Sequence, residues 1–526
     1  MTRLWIALCA ILAALCVACA SVTPTLAPEP TASPRAATRA PLTATAPRPT
    51  LTLAPTLASA PTLAPSRLLA NGKNENGAYL GIGRLNGENV CTATFIKTSD
   101  NRAAPAYALT SGRCVNALEP NQIVLNQPAQ NLSVVFNYFF DTREKQTAVR
   151  VRAIAFATAK GTDLAVLELE ATVGDLVAKN IQPLALANGK SQPGERVNVI
   201  GAPFAGWEEK DAFLRLAACA LDAPTPVIEQ PWFWHELDRN HCADIRGGSA
   251  GAPVLSARNE IVGVIATTTA GSAGTGDCVP GRPCEVSGST ATVRANTNYA
   301  AGVIGLAQCF AATGKFEVTR AGCVLDAGKQ IALEGTRTAT RPFVEGTTRA
   351  TWNITVMGDP RTYYRYKLGA AGSVNCRTLD GYGKVIGVAE SDLINDPVAE
   401  ADGFYLACIL AGTTPQYDPK TWQDAPFATL ALLRVDTTPP KLEPRVVVQN
   451  TGAGFDLAFE FAPPELVNYK YKLGKAEATD CAKPEGYTFY RRMALRVAAT
   501  ETPAKLCVIG YDDADNATPP RELTIK

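Results

Sequence analysis

Between about Gly77 and Leu306 the chain is written in short apolar runs, at 78–82, 123–125, 133–139, 149–156, 164–169, 197–200 and 260–266, each closed by turn-forming residues. No segment in that stretch sustains the 3.6-residue apolar period of an amphipathic helix. Many short strands at such spacing predict a barrel or sandwich. Further on, Phe455-Asp-Leu-Ala-Phe-Glu-Phe461 alternates strictly, the pattern of a half-buried strand.

After Cys323 the chain repeats itself. Tyr364-Arg-Tyr-Lys-Leu-Gly369, Cys376, Gly381-Tyr382 and Cys408 are echoed by Tyr469-Lys-Tyr-Lys-Leu-Gly474, Cys481, Gly486-Tyr487 and Cys507. Asp436-Thr-Thr-Pro-Pro440 separates the copies as rigid punctuation between adjacent modules. The size and pattern predict two tandem β-sandwiches, 326–436 and 437–526, which resemble bacterial surface immunoglobulin-like domains in style only. No motif in them carries chemistry.

The beginning of the chain has a different character. Arg3, the apolar run from Leu4 to Val17 and the small pair Val17-Ala18 before Cys19 read as an export signal over 1–19. The run is too short for a membrane-spanning helix. Cysteine directly after the small pair resembles a bacterial lipoprotein processing site, with Cys19 as the lipidated residue, although Cys16 stands where leucine is usual. An ordinary secretory signal cleaved nearby is the other reading. Residues 20–66 are alanine, proline, threonine and leucine, with Thr-Leu-Ala-Pro recurring at Thr25, Thr52 and Thr62. Such a stretch cannot bury a core; at roughly 3.1 Å per residue it forms a stalk on the order of 100 Å long.

Composition narrows the function. The formal net charge of +1 gives no electrostatic footprint for nucleic acid. His235 and His241 are the only two histidines, which argues against a histidine-based metal site, and nothing in the sequence calls for a cofactor. Setting aside Cys9, Cys16 and Cys19, twelve of the fifteen cysteines remain, an even number suited to disulfides in an exported protein. Pairing neighbours is simplest: Cys91–Cys114, Cys219–Cys242, Cys278–Cys284, Cys309–Cys323, Cys376–Cys408 and Cys481–Cys507.

Three segments carry the candidate chemistry. They are Tyr107-Ala-Leu-Thr-Ser-Gly-Arg-Cys114, Gly161-Thr-Asp-Leu-Ala-Val-Leu-Glu-Leu169 and His241-Cys-Ala-Asp-Ile-Arg-Gly-Gly-Ser-Ala-Gly-Ala-Pro-Val-Leu255. In order and in pattern they resemble the histidine, aspartate and serine segments of the trypsin-like serine proteases. The resemblance covers 67–325 and implies two six-stranded β-barrels with a site between them. The whole chain is therefore expected to be all-β, a trypsin-like double β-barrel followed by two β-sandwich modules. The first cysteine pair matches a bridge common in that family, which pins the histidine loop to the preceding strand, Cys91-Thr-Ala-Thr-Phe-Ile96.

The reacting positions depart from the family. Arg113 stands at the histidine position, and a guanidinium has no acceptor with which to take a proton. Asp163 is retained as the orienting carboxylate and is expected to meet Arg113 as a bidentate pair. Taken alone, these segments are a disulfide-bonded turn after a strand and an aspartate opening another. For the nucleophile two registers compete. Anchoring on Gly251 and Pro253 puts Ala250 at the serine position; anchoring on Ser249 makes that residue an alternative nucleophile but puts alanine where a sharply turning glycine is needed.

The resemblance further implies oxyanion donors at the backbone N–H groups of Gly248 and Ala250, and Asp244 at the base of the specificity pocket. Pro231-Trp-Phe-Trp-His235 lines the cleft or fills the core. The sequence as a whole points to an exported protein, lipid-anchored at a bacterial surface or secreted, whose protease-like domain has lost catalysis and acts in binding a peptide or protein ligand or in adhesion. Its membrane contact would be through the lipid only. An active endopeptidase using Ser249 with a non-standard base, and a pure spacer, are the competing readings.

Overall fold

The computed structural model describes residues 64–526, apart from 116–117, 272–277, 329–330, 336–338, 345–347 and 464. The export signal, Cys19 and nearly all of the stalk lie outside the described residues.

The fold is all-β, a trypsin-like pair of barrels followed by two sandwiches. In the first barrel Ile82–Asn86 pairs with Cys91–Ile96, and the sheet continues through Pro105–Thr110, Leu164–Thr172, Thr147–Thr158 and Ser133–Phe136. Ser133–Phe136 returns to Ile82–Asn86, so the ring closes with six strands. The second barrel runs Arg215–Ala220, Arg196–Gly201, Pro253–Leu255, Ile261–Thr268, Asn298–Gly302 and Trp232–Asn240. A bridge between Leu221 and Asn240 brings its ends together. One apolar core runs through both, joining Ile82, Tyr107 and Phe156 to Ile200, Trp234 and Tyr299.

The run at 78–82 is the exception among the expected strands. A 3-10 turn occupies Gly77–Tyr79, and pairing begins only at Ile82. Leu80 is buried and its N–H is taken by the Gly77 carbonyl, while the carbonyls of Leu80 and Gly81 accept from Asn137 and Phe95 at 3.4 and 2.8 Å, so the turn claims the first N–H groups and regular pairing waits for Ile82.

Each sandwich sets a three-stranded sheet beside a four-stranded one. The repeated residues perform the same task in both copies. Tyr382 donates its hydroxyl hydrogen to the Cys376 carbonyl, as Tyr487 does to that of Cys481. Lys367 and Lys472 lie over those tyrosine rings at 4.4 and 4.6 Å while donating to loop carbonyls. All six disulfides pair neighbouring cysteines, Cys91–Cys114 through Cys481–Cys507. Among the described residues no helix is long and apolar enough to cross a membrane.

The strand Trp232–Asn240 decides how the parts join. Successive side chains of a strand point to opposite faces. Trp232 and Trp234 face the barrels, whereas Phe233, with Ile228, joins a core shared with Tyr382, Phe404, Leu406 and Trp422 of the first sandwich. The backbone reinforces this seam: the N–H of Phe404 donates to Ser289 and that of Gly372 to Gly288, at 2.8 and 2.7 Å. Asn121 clasps the Leu430 backbone through both its amide groups at 2.8 Å.

Two groups on this strand titrate in opposite senses. Burial, helped by Arg377 and Lys367, pushes His235 down to about 4. Burial, opposed by Lys190 and helped by Glu236 and Glu195, pushes the Asp238 carboxyl up to about 6. Between pH 4 and 6.5 the unfolded chain binds a proton at His235 that the folded one refuses, so this histidine costs stability on acidification, roughly 3 kcal/mol in full. Asp238 does the reverse: the folded form holds a proton that the unfolded one releases, and stability rises as pH falls through 6. In wild type the two slopes oppose. Denaturant unfolding between pH 4 and 7 is therefore expected to show Asp238→Asn losing stability toward acid and His235→Phe gaining it. Parallel slopes in the two variants would contradict these assignments.

Candidate active site

The site is assembled where the two barrels meet. Arg113 sits on the 3-10 turn Gly112–Cys114, directly after the strand Pro105–Thr110, and Cys91–Cys114 ties that turn to its neighbouring strand. Asp163 precedes the strand Leu164–Thr172 and is fully buried. Its two oxygens accept from three donors: the Ser111 hydroxyl at 2.8 Å, the Arg113 N–H at 3.1 Å and Arg113 Nε at 3.1 Å.

The expected bidentate fork between Arg113 and Asp163 is not what forms. Only Nε of the guanidinium turns to Asp163; one terminal nitrogen pairs with Glu229 at 3.1 Å, and the other donates to the Ala266 carbonyl at 3.1 Å. The reason is geometric. The backbone N–H and Ser111 already occupy part of the Asp163 carboxylate, and the second barrel presents two further acceptors within reach. The guanidinium also lies 5.0 Å from the ring centroids of both Trp232 and Trp234. Burial works against its charge, but Asp163 and Glu229 outweigh burial and hold the guanidinium protonated beyond even its ordinary range.

Glu229 was not singled out by the sequence, whereas the tryptophan pair belongs to the aromatic run 231–235 read there as cleft lining or core. Glu229 ends the strand Thr225–Glu229 and is buried, and its Oε1 accepts from the Gly281 N–H at 2.6 Å. A usable signal existed. A buried arginine with several donors and one named carboxylate needs further acceptors, and Val-Ile-Glu229 is a carboxylate at the end of an apolar run. The aromatic run lies inside the protein. Trp234 is fully buried with its indole N–H on the Ala159 carbonyl, and that of Trp232 donates to Leu118.

Across from Arg113 the loop 246–253 turns on two glycines. Gly251 has φ +79°, and a Cβ there would stand 2.1 Å from Thr110 Oγ1 and 2.2 Å from the Thr92 carbonyl oxygen. Gly248 has φ +100°, with the Ala202 carbonyl oxygen 2.6 Å from a hypothetical Cβ. Only glycine fits either place. Thr92 of the first barrel fixes the loop, its hydroxyl donating to Gly248 O at 2.8 Å and its N–H to Ala250 O at 2.9 Å.

A cavity of about 460 Å³ opens beside the loop, with Arg113, Ala250, Gly248, Ile245 and residues 265–268 in its lining. Ser249 is not part of that lining. It is 1% exposed, and its Oγ accepts from the Arg246 N–H at 3.3 Å. Neither histidine bonds to it: His241 lies on Asp222 and the Asn296 carbonyl, and His235 packs on Phe233. The N–H groups of Gly248 and Ala250 donate to no protein acceptor among the described residues.

Asp244 is not among the residues lining this cavity; its Oδ2 accepts from the N–H and hydroxyl of Ser66 at 2.9 and 2.7 Å while Oδ1 lies 3.6 Å from Arg246. Burial pushes this carboxyl up, but the two Ser66 donors with Arg246 and Arg215 outweigh burial and hold it below its usual range.

Residues 91–264 match the profile of a family described as trypsin-like peptidase domain, a stretch that contains Arg113, Asp163, Ser249 and Ala250 but less than half of the chain. No curated protein matches the chain in sequence. Solved structures similar to it include the Rv3671c protease of M. tuberculosis in its active form, 12% identical, with 48% of this chain and 89% of that one covered and a TM-score of 0.27. Another is the thermostable serine protease AL20 of an extremophilic microorganism, at 14% identity, 43% and 92% coverage and a TM-score of 0.28. A third is human heparin binding protein, at 13%, 45% and 90%, and 0.28.

Removing one member of a buried ion cluster leaves the others uncompensated. Arg113→Ala is therefore expected to lower unfolding stability by about 3–5 kcal/mol in urea titrations at neutral pH, with Arg113→Lys recovering part of the loss. An alanine variant as stable as wild type would mean that the cluster does not hold the barrels together.

Proposed function

We propose that the paired barrels bind an extended peptide or protein segment without cleaving it. Hydrolysis by the trypsin-like route needs a base with a free lone pair beside a hydroxyl nucleophile. At position 113 stands a cation whose nitrogens are engaged by Asp163, Glu229 and Ala266, and Ala250 brings only a methyl group to the lining of the same cavity. The presence of an engaged guanidinium and a bare methyl in the lining of one cavity is the observation that carries the reading. Binding survives the exchange, because oxyanion-type donors at Gly248 and Ala250 belong to the backbone and a cleft edge can still accept a strand.

The disulfides suit an oxidising compartment. We place the protein outside the cell, at a bacterial surface through Cys19 or secreted, with the two sandwiches as immunoglobulin-like spacers that carry no chemistry. No cofactor, metal or nucleic acid has a part in this reading.

Three measurements test it. A fluorophosphonate probe is expected to leave the protein unmodified; an adduct on Ser249 would establish an active enzyme instead. A peptide array is expected to return a selective set of ligands, whereas uniform silence would favour a spacer. The double replacement Arg113→His with Ala250→Ser is expected to produce measurable hydrolysis of peptide esters. A correctly folded but inert double variant would sink the alignment.

A further inference from the structure

A second cavity, away from the cleft, lies at the seam between the barrels and the first sandwich. It measures about 350 Å³ and is walled by Phe156, Val262, Val303 and Leu325 together with Phe427 of the sandwich. Cavities of this size at domain junctions are common places for small ligands. Two large apolar side chains stand exposed at its lining, Ile304 at 39% and Val324 at 46%.

The charged groups around it are unequally served. Every cation facing the cavity already has an anionic partner. Lys160 pairs with Asp326 at 2.8 Å and donates to the Phe427 carbonyl at 2.7 Å; Lys190 and Arg377 share Glu236. Asp238 has neither an ion pair nor a hydrogen bond among the described residues. Opposite it lies Gly302, where a Cβ would meet nothing within 4 Å except Asp238 Oδ2 at 3.9 Å. No side chain fills that space. Two further polar groups of the lining lack partners among the described residues: Ser191 Oγ is buried without one, and the ring nitrogens of His235 have no hydrogen bond there.

A partly buried carboxylate without a partner is costly, and a ligand cation that supplies one is correspondingly favoured. An anion finds no free cation here, and one carboxylate is too little to hold a metal ion. We infer that this cavity is a binding site for a small organic amine, its ammonium on Asp238 above Gly302 and its apolar body against the Val262, Val303 and Leu325 wall. Ser191 and His235 then offer hydrogen bonds to a polar substituent. The site is separate from the cleft and does not depend on the reading given to it.

The test is calorimetric titration of the full chain with 2-phenylethylamine and, as its uncharged counterpart, 2-phenylethanol. The amine is expected to bind about tenfold or more tightly than the alcohol, in line with a charge-assisted hydrogen bond. Asp238→Asn is expected to bring the amine down to the alcohol's affinity. Gly302→Leu, which places a side chain over Asp238 from a position with room for it, is expected to abolish binding of both. Absence of saturable amine binding, equal affinity for amine and alcohol, or amine affinity unchanged in Asp238→Asn would each overturn the assignment. Should the asparagine variant fail to fold, undiminished binding in Gly302→Leu would overturn it equally.

Discussion

A guanidinium taken out of bulk water is stable only if its donors are met, and Arg113 meets that demand across a domain boundary. Asp163 comes from the first barrel; Glu229, the Ala266 carbonyl and the two indole faces come from the second. Arg113 is here a tie between barrels. Its carboxylate partners are themselves buried, so the cluster is an all-or-none arrangement: each charge is tolerable because the others are present. The position of the cleft walls follows from that tie.

The strand Trp232–Asn240 extends the same logic outward. Its alternation sends Trp232 and Trp234 to the arginine and Phe233 and His235 to the sandwich, so one strand serves two interfaces with opposite faces. The period-2 geometry of a strand couples the cleft to the seam without any dedicated linker.

Much of this was legible from local pattern. Short apolar runs gave the all-β fold, and turn glycines at 248 and 251 marked a loop that no other residue could make. The order of the three protease-like segments brought Arg113 and Asp163 together on paper, and they are in contact in the structure. What escaped depends on distance along the chain. Asp244 was read as the floor of a pocket, but its partner is Ser66, 178 residues away, and no spacing rule announces such a contact. Glu229 and the third guanidinium bond to Ala266 are likewise long-range choices, made when the second barrel docks. The strand expected at 78–82 begins only at Ile82 for the opposite reason, since a local turn takes the N–H groups of Tyr79 and Leu80.

The core shared by Phe233, Ile228, Tyr382, Phe404 and Trp422 has a consequence for how this architecture can be rearranged. Strung out along the sequence, the barrels and sandwiches look like interchangeable beads. The first sandwich, however, is welded to its predecessor by a common apolar interior, so a chimera that grafts the barrels onto another carrier would expose half a core. Barrels and first sandwich are one inheritable cassette, and the Asp436-Thr-Thr-Pro-Pro440 joint beyond it is spanned by the bond from the Asn516 amide to the Asp436 carbonyl, which any recombinant cut there would have to replace.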